Sequence, residues 1–276
     1  MTTTATPATL KVGVVGKGGV GKTTVSGLLA RSYCARGNHV VAIDTDSNPN
    51  LGLSLGLSLS ETEAVPVLPR AVLVGTGGDP SADALLSSYG RSTPAGPMLL
   101  SAIRVAAAGA GCTCSGHATV RSLLGDALTG VDVTLVDMEA GLEHLSRSGG
   151  TLAYADVLVV VCEPTRKSVI TAARTDALAA ELGIGHVLAV GNKARTPEDA
   201  DFFVSALAAE GIALAGVLPY DAQVAAQDRA GSVGLTPVAA DVQAALDVVL
   251  DAIDAAMGGR PMTKVAEPSL SNDGHR

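Results

Sequence analysis

Gly16-Lys17-Gly18-Gly19-Val20-Gly21-Lys22-Thr23 matches the spacing G-x-x-x-x-G-K-[ST], and its surroundings decide the fold. A short apolar run, Val12–Val15, leads into it, and an Ala- and Leu-rich stretch from about Thr24 to Arg36 reads as a helix leaving it. Strand, glycine loop and helix in that order are the context in which this spacing carries meaning. Glycines let successive backbone N–H groups converge on phosphate oxygens, and a helix N-terminus adds favourable partial charge. Gly16 through Thr24 therefore form the candidate nucleotide-binding segment. In it Lys22 is expected to bridge the β- and γ-phosphates and Thr23 to ligate Mg²⁺.

Further along the chain the same alternation recurs. Strand signals lie at Val40–Ile43, Ala71–Val74, Val133–Val136, Val157–Val161, Val187–Val190 and Ile212–Leu218. Helical patterns cover about 117–129, 166–182, 198–210 and 238–257. The Gly-, Ser- and Leu-rich region from Ser47 to Pro97 reads otherwise as irregular structure and short helices. Strands alternating with helices mean βα units, and continuous Val/Ile/Leu runs suit strands covered on both faces. The expected fold is α/β: a single-domain P-loop NTPase with a mostly parallel sheet flanked by helices on both faces. Residues 1–9 read as a flexible N-terminal tail, 10–257 as the P-loop ATPase domain and 258–276 as a disordered C-terminal tail.

Composition narrows the partners. The 276 residues hold 19 Lys+Arg against 27 Asp+Glu, a net charge of −8, which opposes nucleic acid or anionic lipid as the main partner. Aromatics are 2% with no Trp, so the core is aliphatic and a base-stacking platform is not expected. No run of about 18 apolar residues predicts a spanning helix. The opening MTTTATPATLKV lacks the basic and apolar regions of a signal peptide. Four cysteines in a chain of this length are not a disulfide framework, and the expected compartment is a reducing cytoplasm.

The second lysine of the loop, Lys17, sharpens the reading. KGGVGKTT resembles the deviant phosphate loop of the family that includes nitrogenase iron protein, MinD, ParA-type ATPases and the arsenite-pump ATPase. The resemblance implies that Lys17 reaches across a homodimer interface to phosphates held by the other subunit, acting as an arginine finger does. Asp44 and Asp46, in IDTDSNPNL, follow the second strand at the carboxyl edge, where ligands bind in such sheets. By the same resemblance Asp46 orients the attacking water, and Asp137, ending VTLVD, is an acid directed at Mg²⁺. Asp44 is expected to help hold Mg²⁺ through water. Gly141, in DMEAG, is expected to contact the γ-phosphate through its amide. Acids at strand ends also serve as simple helix caps.

Base choice follows from Asn192-Lys193-Ala194-Arg195. Guanine-specific proteins carry N-K-x-D, whose acid accepts two guanine N–H bonds. Here that position is Arg195, a donor facing donors, so ATP is expected over GTP. Asn192 offers a donor and an acceptor to adenine. Pro219-Tyr220-Asp221 resembles the second base-contacting loop and places Pro219 and Asp221, with Lys193, in the nucleotide-binding set.

Cys34 and Cys162 read as ordinary buried small residues. Cys112 and Cys114 differ: they sit in a Gly/Ser loop just before a helix, where the dipole favours thiolate. Two thiolates are too few for Zn²⁺ or Ni²⁺, which usually take about four ligands, but a two-fold dimer brings four together. His117, three residues on, reads as an extra ligand or as a surface histidine at the helix N-terminus. KGGVGKTT, IDTDSNPNL, C-x-C and DMEAGLEHLSR together resemble the CooC-type ATPases, over roughly Leu10–Ile253. That resemblance implies an ATP-dependent metallochaperone. It would dimerise on nucleotide binding, hold Ni²⁺ or Zn²⁺ between Cys112 and Cys114 of two subunits, and deliver nickel to an apo-enzyme, carbon monoxide dehydrogenase.

Two alternatives accompany this reading. An iron-protein-like reductase would hold a [4Fe–4S] cluster between subunits, but LEHL after Gly141 lacks the expected cysteine. A MinD/ParA-type positioning ATPase would end in a basic amphipathic helix. Here the C-terminal helix carries Asp241, Asp247, Asp251 and Asp254 and no Lys or Arg, which anionic lipid repels.

Overall fold

Alternate side chains along the central strands point to two separate cores. Val41, Ile43, Val136, Leu158 and Val160 face one, and Val40, Ala42, Val133, Leu135, Val157, Val159 and Val161 face the other. That is the period of two expected of a pleated sheet covered on both sides. The computed structural model describes residues 9–68, 82–103, 130–140, 152–230 and 237–258.

Its strands are β1 (Leu10–Gly16), β2 (Val40–Asp44), β3 (Arg91–Ser92), β4 (Met98–Ser101), β5 (Val133–Asp137), β6 (Val157–Cys162), β7 (His186–Ala194) and β8 (Ala213–Pro219). They form one sheet in the order β3-β4-β2-β5-β1-β6-β7-β8. All pairs are parallel except β3 with β4. The helices are α1 (Lys22–Ala35), α2 (Leu51–Ser54), α3 (Leu59–Glu63), α4 (Ala82–Tyr89), α5 (Arg166–Leu182), α6 (Pro197–Ala209), α7 (Ala222–Ala230) and α8 (Ala240–Ala256). Buried residues of α1, α2 and α8 belong to one core, and those of α4, α5 and α6 to the other. The single-domain, mostly parallel α/β fold expected from the sequence is the fold observed.

Local chemistry explains the helix ends. Thr165 accepts the Ser168 N–H at the start of α5, and Gly183 at φ 74° closes it. Thr196 and Asp199 form a reciprocal capping box at the start of α6, with Pro197 at its first position. Arg36, just past α1, pairs with Asp247, Asp251 and Asp254 of α8 at 3.4, 2.9 and 3.4 Å. Tyr33 donates to Asp254 at 3.1 Å. The phosphate-loop helix is thus tied at its far end to the last helix.

The structure adds elements that the pattern reading did not separate. β4 and its short antiparallel partner β3 extend the sheet beyond β2, and α7 follows β8. Thr9, expected in the loose tail, donates its hydroxyl to the Val131 carbonyl at 2.9 Å. The strand expected at Ala71–Val74, the helix at 117–129, residues 1–8 and 259–276, Cys112, Cys114, His117 and Gly141 lie outside the described residues.

Candidate functional site

Parallel pairing brings the ends of β1, β2 and β5 to one edge. Asp137 is in register with both Val14 and Asp44. The loop from Gly16 to Gly21 leaves β1 at this edge and turns into α1. Gly21 has φ 94°, and no side chain caps the helix it precedes, so the first N–H groups of α1 remain available to an anion. A Cβ on Gly21 would lie 2.6 Å from Asn192 Nδ2, so this position requires glycine for space as well as for φ. Beside the loop opens a cleft of about 570 Å³, within the usual range for small-ligand sites. Lys22, Thr23, Asp46, Lys193 and Asp228 are among the residues that line it.

The two loop lysines have opposite environments. Lys22 is buried, and its Nζ donates to the Lys17 carbonyl at 3.3 Å. Burial pulls its pKa below the ordinary value, against the opposing pull of Asp137, Asp46 and Glu139. Lys17 is exposed. Its amine makes no hydrogen bond or ion pair among the described residues.

Acids crowd the same edge. Asp137 is buried; its carboxylate takes hydrogen bonds from the Thr23 and Ser26 hydroxyls, the latter at 2.9 Å. Burial raises its pKa, while those two donors and Lys22 oppose the rise. Asp44 is also buried, and burial together with the Asp137 charge raises its pKa too. Its two oxygens accept the Asp46 N–H at 3.0 Å and the Leu51 N–H at 2.8 Å. Asp44 thereby pins the loop that carries Asp46 and starts α2. Asp46 is half-buried, accepts the Asn48 N–H at 2.8 Å and faces the cleft. Ser47 donates to Glu139 at 2.9 Å and Thr45 to the Asp137 carbonyl at 2.8 Å, joining the two loops that follow β2 and β5.

The base-side loops meet the phosphate loop directly. Asn192 Nδ2 donates to the Val20 carbonyl at 2.8 Å, and Asn192 Oδ1 accepts the Lys193 N–H at 2.9 Å. One donor and one lone pair of Asn192 remain for a base. Lys193 Nζ donates to the Gly19 carbonyl. The Arg195 guanidinium stacks 3.6 Å over the Tyr220 ring. Tyr220 N–H donates to the Ala194 carbonyl at 2.7 Å. Pro219 ends β8, and Asp221 accepts the Gln223 and Val224 N–H groups at 2.6 and 3.1 Å, starting α7.

Gly16 to Thr24, Asp44, Asp46, Asp137, Asn192, Lys193, Pro219 and Asp221 all fall at the carboxyl edge of the sheet. Pattern reading missed Ser26 and Asp228. Ser26 carried a signal: it is a polar residue four positions after Lys22, on the helix face that returns to the sheet. Asp228, hydrogen-bonded by Thr24 at 3.3 Å, carried none, because α7 has no apolar stripe to announce it.

Residues 12–233 match the family model of the CobQ/CobB/MinD/ParA nucleotide binding domain. The carbon monoxide dehydrogenase accessory protein CooC of Rhodospirillum rubrum is 37% identical over 237 residues, 80% of this chain and 88% of that protein. An uncharacterized ATP-binding protein of Methanocaldococcus jannaschii is 33% identical over 254 residues, 87% of this chain and 95% of that one. Among solved structures, the septum site-determining protein MinD of Pyrococcus horikoshii, complexed with Mg-ADP, superposes with a TM-score of 0.69 at 19% identity. That match covers 92% of this chain and all of that one.

Proposed function

The chain belongs to the CobQ/CobB/MinD/ParA nucleotide-binding family and is a CooC-type ATPase within it, and from that premise we propose an ATP-dependent nickel chaperone. MgATP draws two copies together, Cys112 and Cys114 of both subunits hold one Ni²⁺ or Zn²⁺, and hydrolysis releases nickel to an apo-enzyme. Carbon monoxide dehydrogenase is the acceptor that the name of the CooC relative points to.

The observation that carries the proposal is the contrast between the two lysines. Lys22 is buried against its own loop, in position to meet phosphates from within. Lys17 is exposed in the loop whose Gly18, Gly19 and Gly21 line the cleft, and its amine has no partner among the described residues, which suits a group serving a second subunit's phosphates. Charge placed there stabilises the transition state of phosphoryl transfer. Asp46 faces the cleft from a loop pinned by Asp44 and in this reading would orient the attacking water. The donor set of Thr23 hydroxyl and Asp137 carboxylate is all oxygen, which suits a hard divalent cation. Burial disfavours the charged form of Asp137, a cost that a cation bound beside it would offset. Thr23 and Asp137, with Asp44 through water, would hold Mg²⁺, which when bound would neutralise charge on the β- and γ-phosphates. Gly141 follows Asp137 by four residues and is proposed to sense the γ-phosphate. Asn192, Lys193, Pro219 and Asp221 are proposed to bind the base side of the nucleotide.

Topology supports a link between nucleotide and thiols. β4 ends at Ser101, in register with Asp44, and the Ala102 N–H donates to the Asp44 carbonyl at 2.9 Å. The chain therefore leaves β4 at the nucleotide edge, and in sequence Cys112 and Cys114 fall between β4 and β5. The test is to size the protein with and without ATP and Ni²⁺, counting metal per subunit. The expected result is an ATP-dependent dimer with one ion per two chains, lost in Cys112→Ser/Cys114→Ser, and a monomer in Lys17→Ala. A nucleotide-loaded monomer, or an ion count unchanged without the thiols, overturns the proposal.

A further inference from the structure

β7 is irregular at its functional end. Gly191 is in register with Val217, and Ala194 with Pro219, so the β7 side of the ladder holds one residue more than the β8 side. The surplus falls on Asn192 and Lys193. Lys193 has φ 63°, and among the described residues no other non-glycine has positive φ. That conformation is uncommon and strained for a side chain of this length, and such strain persists only where neighbours impose it. Bulges of this kind re-aim side chains beside functional sites.

Here the neighbours are the phosphate loop itself. The Lys193 N–H is held by Asn192 Oδ1, the Asn192 amide grips the Val20 carbonyl, and Lys193 Nζ grips the Gly19 carbonyl. Two consecutive loop carbonyls are thus fixed by two consecutive residues of the bulge. In a trans peptide the C=O and the following N–H point in opposite directions. Holding the Gly19 and Val20 carbonyls therefore sets the direction of the Val20 and Gly21 N–H groups, which belong to the phosphate-binding segment.

We infer that Lys193 is a positioning residue that preorganises the phosphate loop, so that its effect is on polyphosphate binding as such and not only on the base or sugar of the nucleotide. The inference rests on the nucleotide reading above and deepens the part given to Lys193 there. Preorganised donors bind an anion without first ordering the loop. Losing a charge-assisted grip costs about tenfold in affinity.

The experiment compares ATP and inorganic tripolyphosphate binding, with Mg²⁺, in wild type and three variants. Lys193→Gly removes the grip and also the backbone strain. Lys193→Asn tolerates positive φ but is too short to reach Gly19. Lys193→Arg keeps a cationic donor. The expected result is that Gly and Asn weaken both ligands by the same factor, about tenfold, with Tm not lowered in at least one of them, and that Arg restores binding. Variants that bind both ligands like wild type, or that lose ATP affinity but keep tripolyphosphate affinity, overturn the inference. Wild-type protein that binds neither ligand overturns the nucleotide reading itself, a separate outcome.

Discussion

Replacing Ser26 with alanine tests how the site keeps a buried carboxylate charged. Ser26 is fully buried on α1, and its hydroxyl donates to Asp137 Oδ1 at 2.9 Å. Alanine leaves that oxygen without this donor, on a carboxylate that is itself buried. A hydrogen bond to a charged group contributes about 1.5–3 kcal/mol. At about 1.4 kcal/mol per pKa unit, the variant raises the Asp137 pKa by a further 1–2 units, roughly.

The sign of the pH effect follows. Burial already holds the Asp137 pKa above its ordinary 3.8. An acid whose pKa is higher in the folded state favours folding while protonated, and this advantage is lost as pH rises from the unfolded value through the folded one. Ser26 offsets part of the loss by stabilising the charged form. Ser26→Ala therefore loses about 1.5–3 kcal/mol at pH 8, where Asp137 is ionised. It loses clearly less at pH 5, where the folded protein holds the proton. Urea unfolding at the two pH values, without divalent cations, measures the difference. Equal losses at both pH values would refute the argument, because Ser26 would then act by packing rather than through the Asp137 charge.

Three further perturbations follow from the same geometry. Arg36→Met removes the cation that gathers Asp247, Asp251 and Asp254. Since these groups are partly exposed, the expected loss is about 1 kcal/mol, shrinking in 1 M salt, read from urea unfolding in low and high salt. Arg195→Asp replaces a donor with an acceptor at the base-side loop, and competition binding is expected to show the ATP-to-GTP affinity ratio falling at least about tenfold. Gly191→Ala puts a Cβ 2.7 Å from the buried Phe203 ring, and overpacking there is expected to cost about 1–3 kcal/mol in thermal unfolding.

Where the chain repeats a strong physical pattern, the fold was legible. β6 is five valines and leucines before Cys162, and α5 begins and ends at Arg166 and Leu182, where a threonine cap and a glycine stop mark it. β4 was not legible, because Met98-Leu99-Leu100-Ser101 is too short for period to separate strand from helix. Its partner β3 is two exposed residues. α7 buries only Gln227 among its nine residues, so no periodicity betrays it. At the site, the phosphate loop and the acids at strand ends could be read because glycine spacing and strand termini are local features. The grip of Asn192 and Lys193 on Val20 and Gly19 could not, because it joins residues about 170 apart through a bulge that depends on tertiary register.

The acidic C-terminal helix shows how burial changes an argument made from charge. In sequence, Asp241, Asp247, Asp251 and Asp254 read as a face that anionic lipid repels. In the fold, three of the four surround Arg36, and Asp254 also accepts from Tyr33. Part of that charge is therefore balanced within the molecule, and repulsion is a weaker objection than it looked. A stronger one replaces it. An amphipathic helix binds a bilayer by laying its apolar face into the headgroup boundary. The apolar face of α8, formed by Val242, Leu246, Val249, Leu250 and Ile253, is buried in the core beside α1 and the sheet. Putting it into lipid would require exposing those five side chains first, at about 1.5–3 kcal/mol each, and would break the Arg36 cluster that ties α8 to the phosphate-loop helix. What α8 does in this fold is brace α1 from its far end.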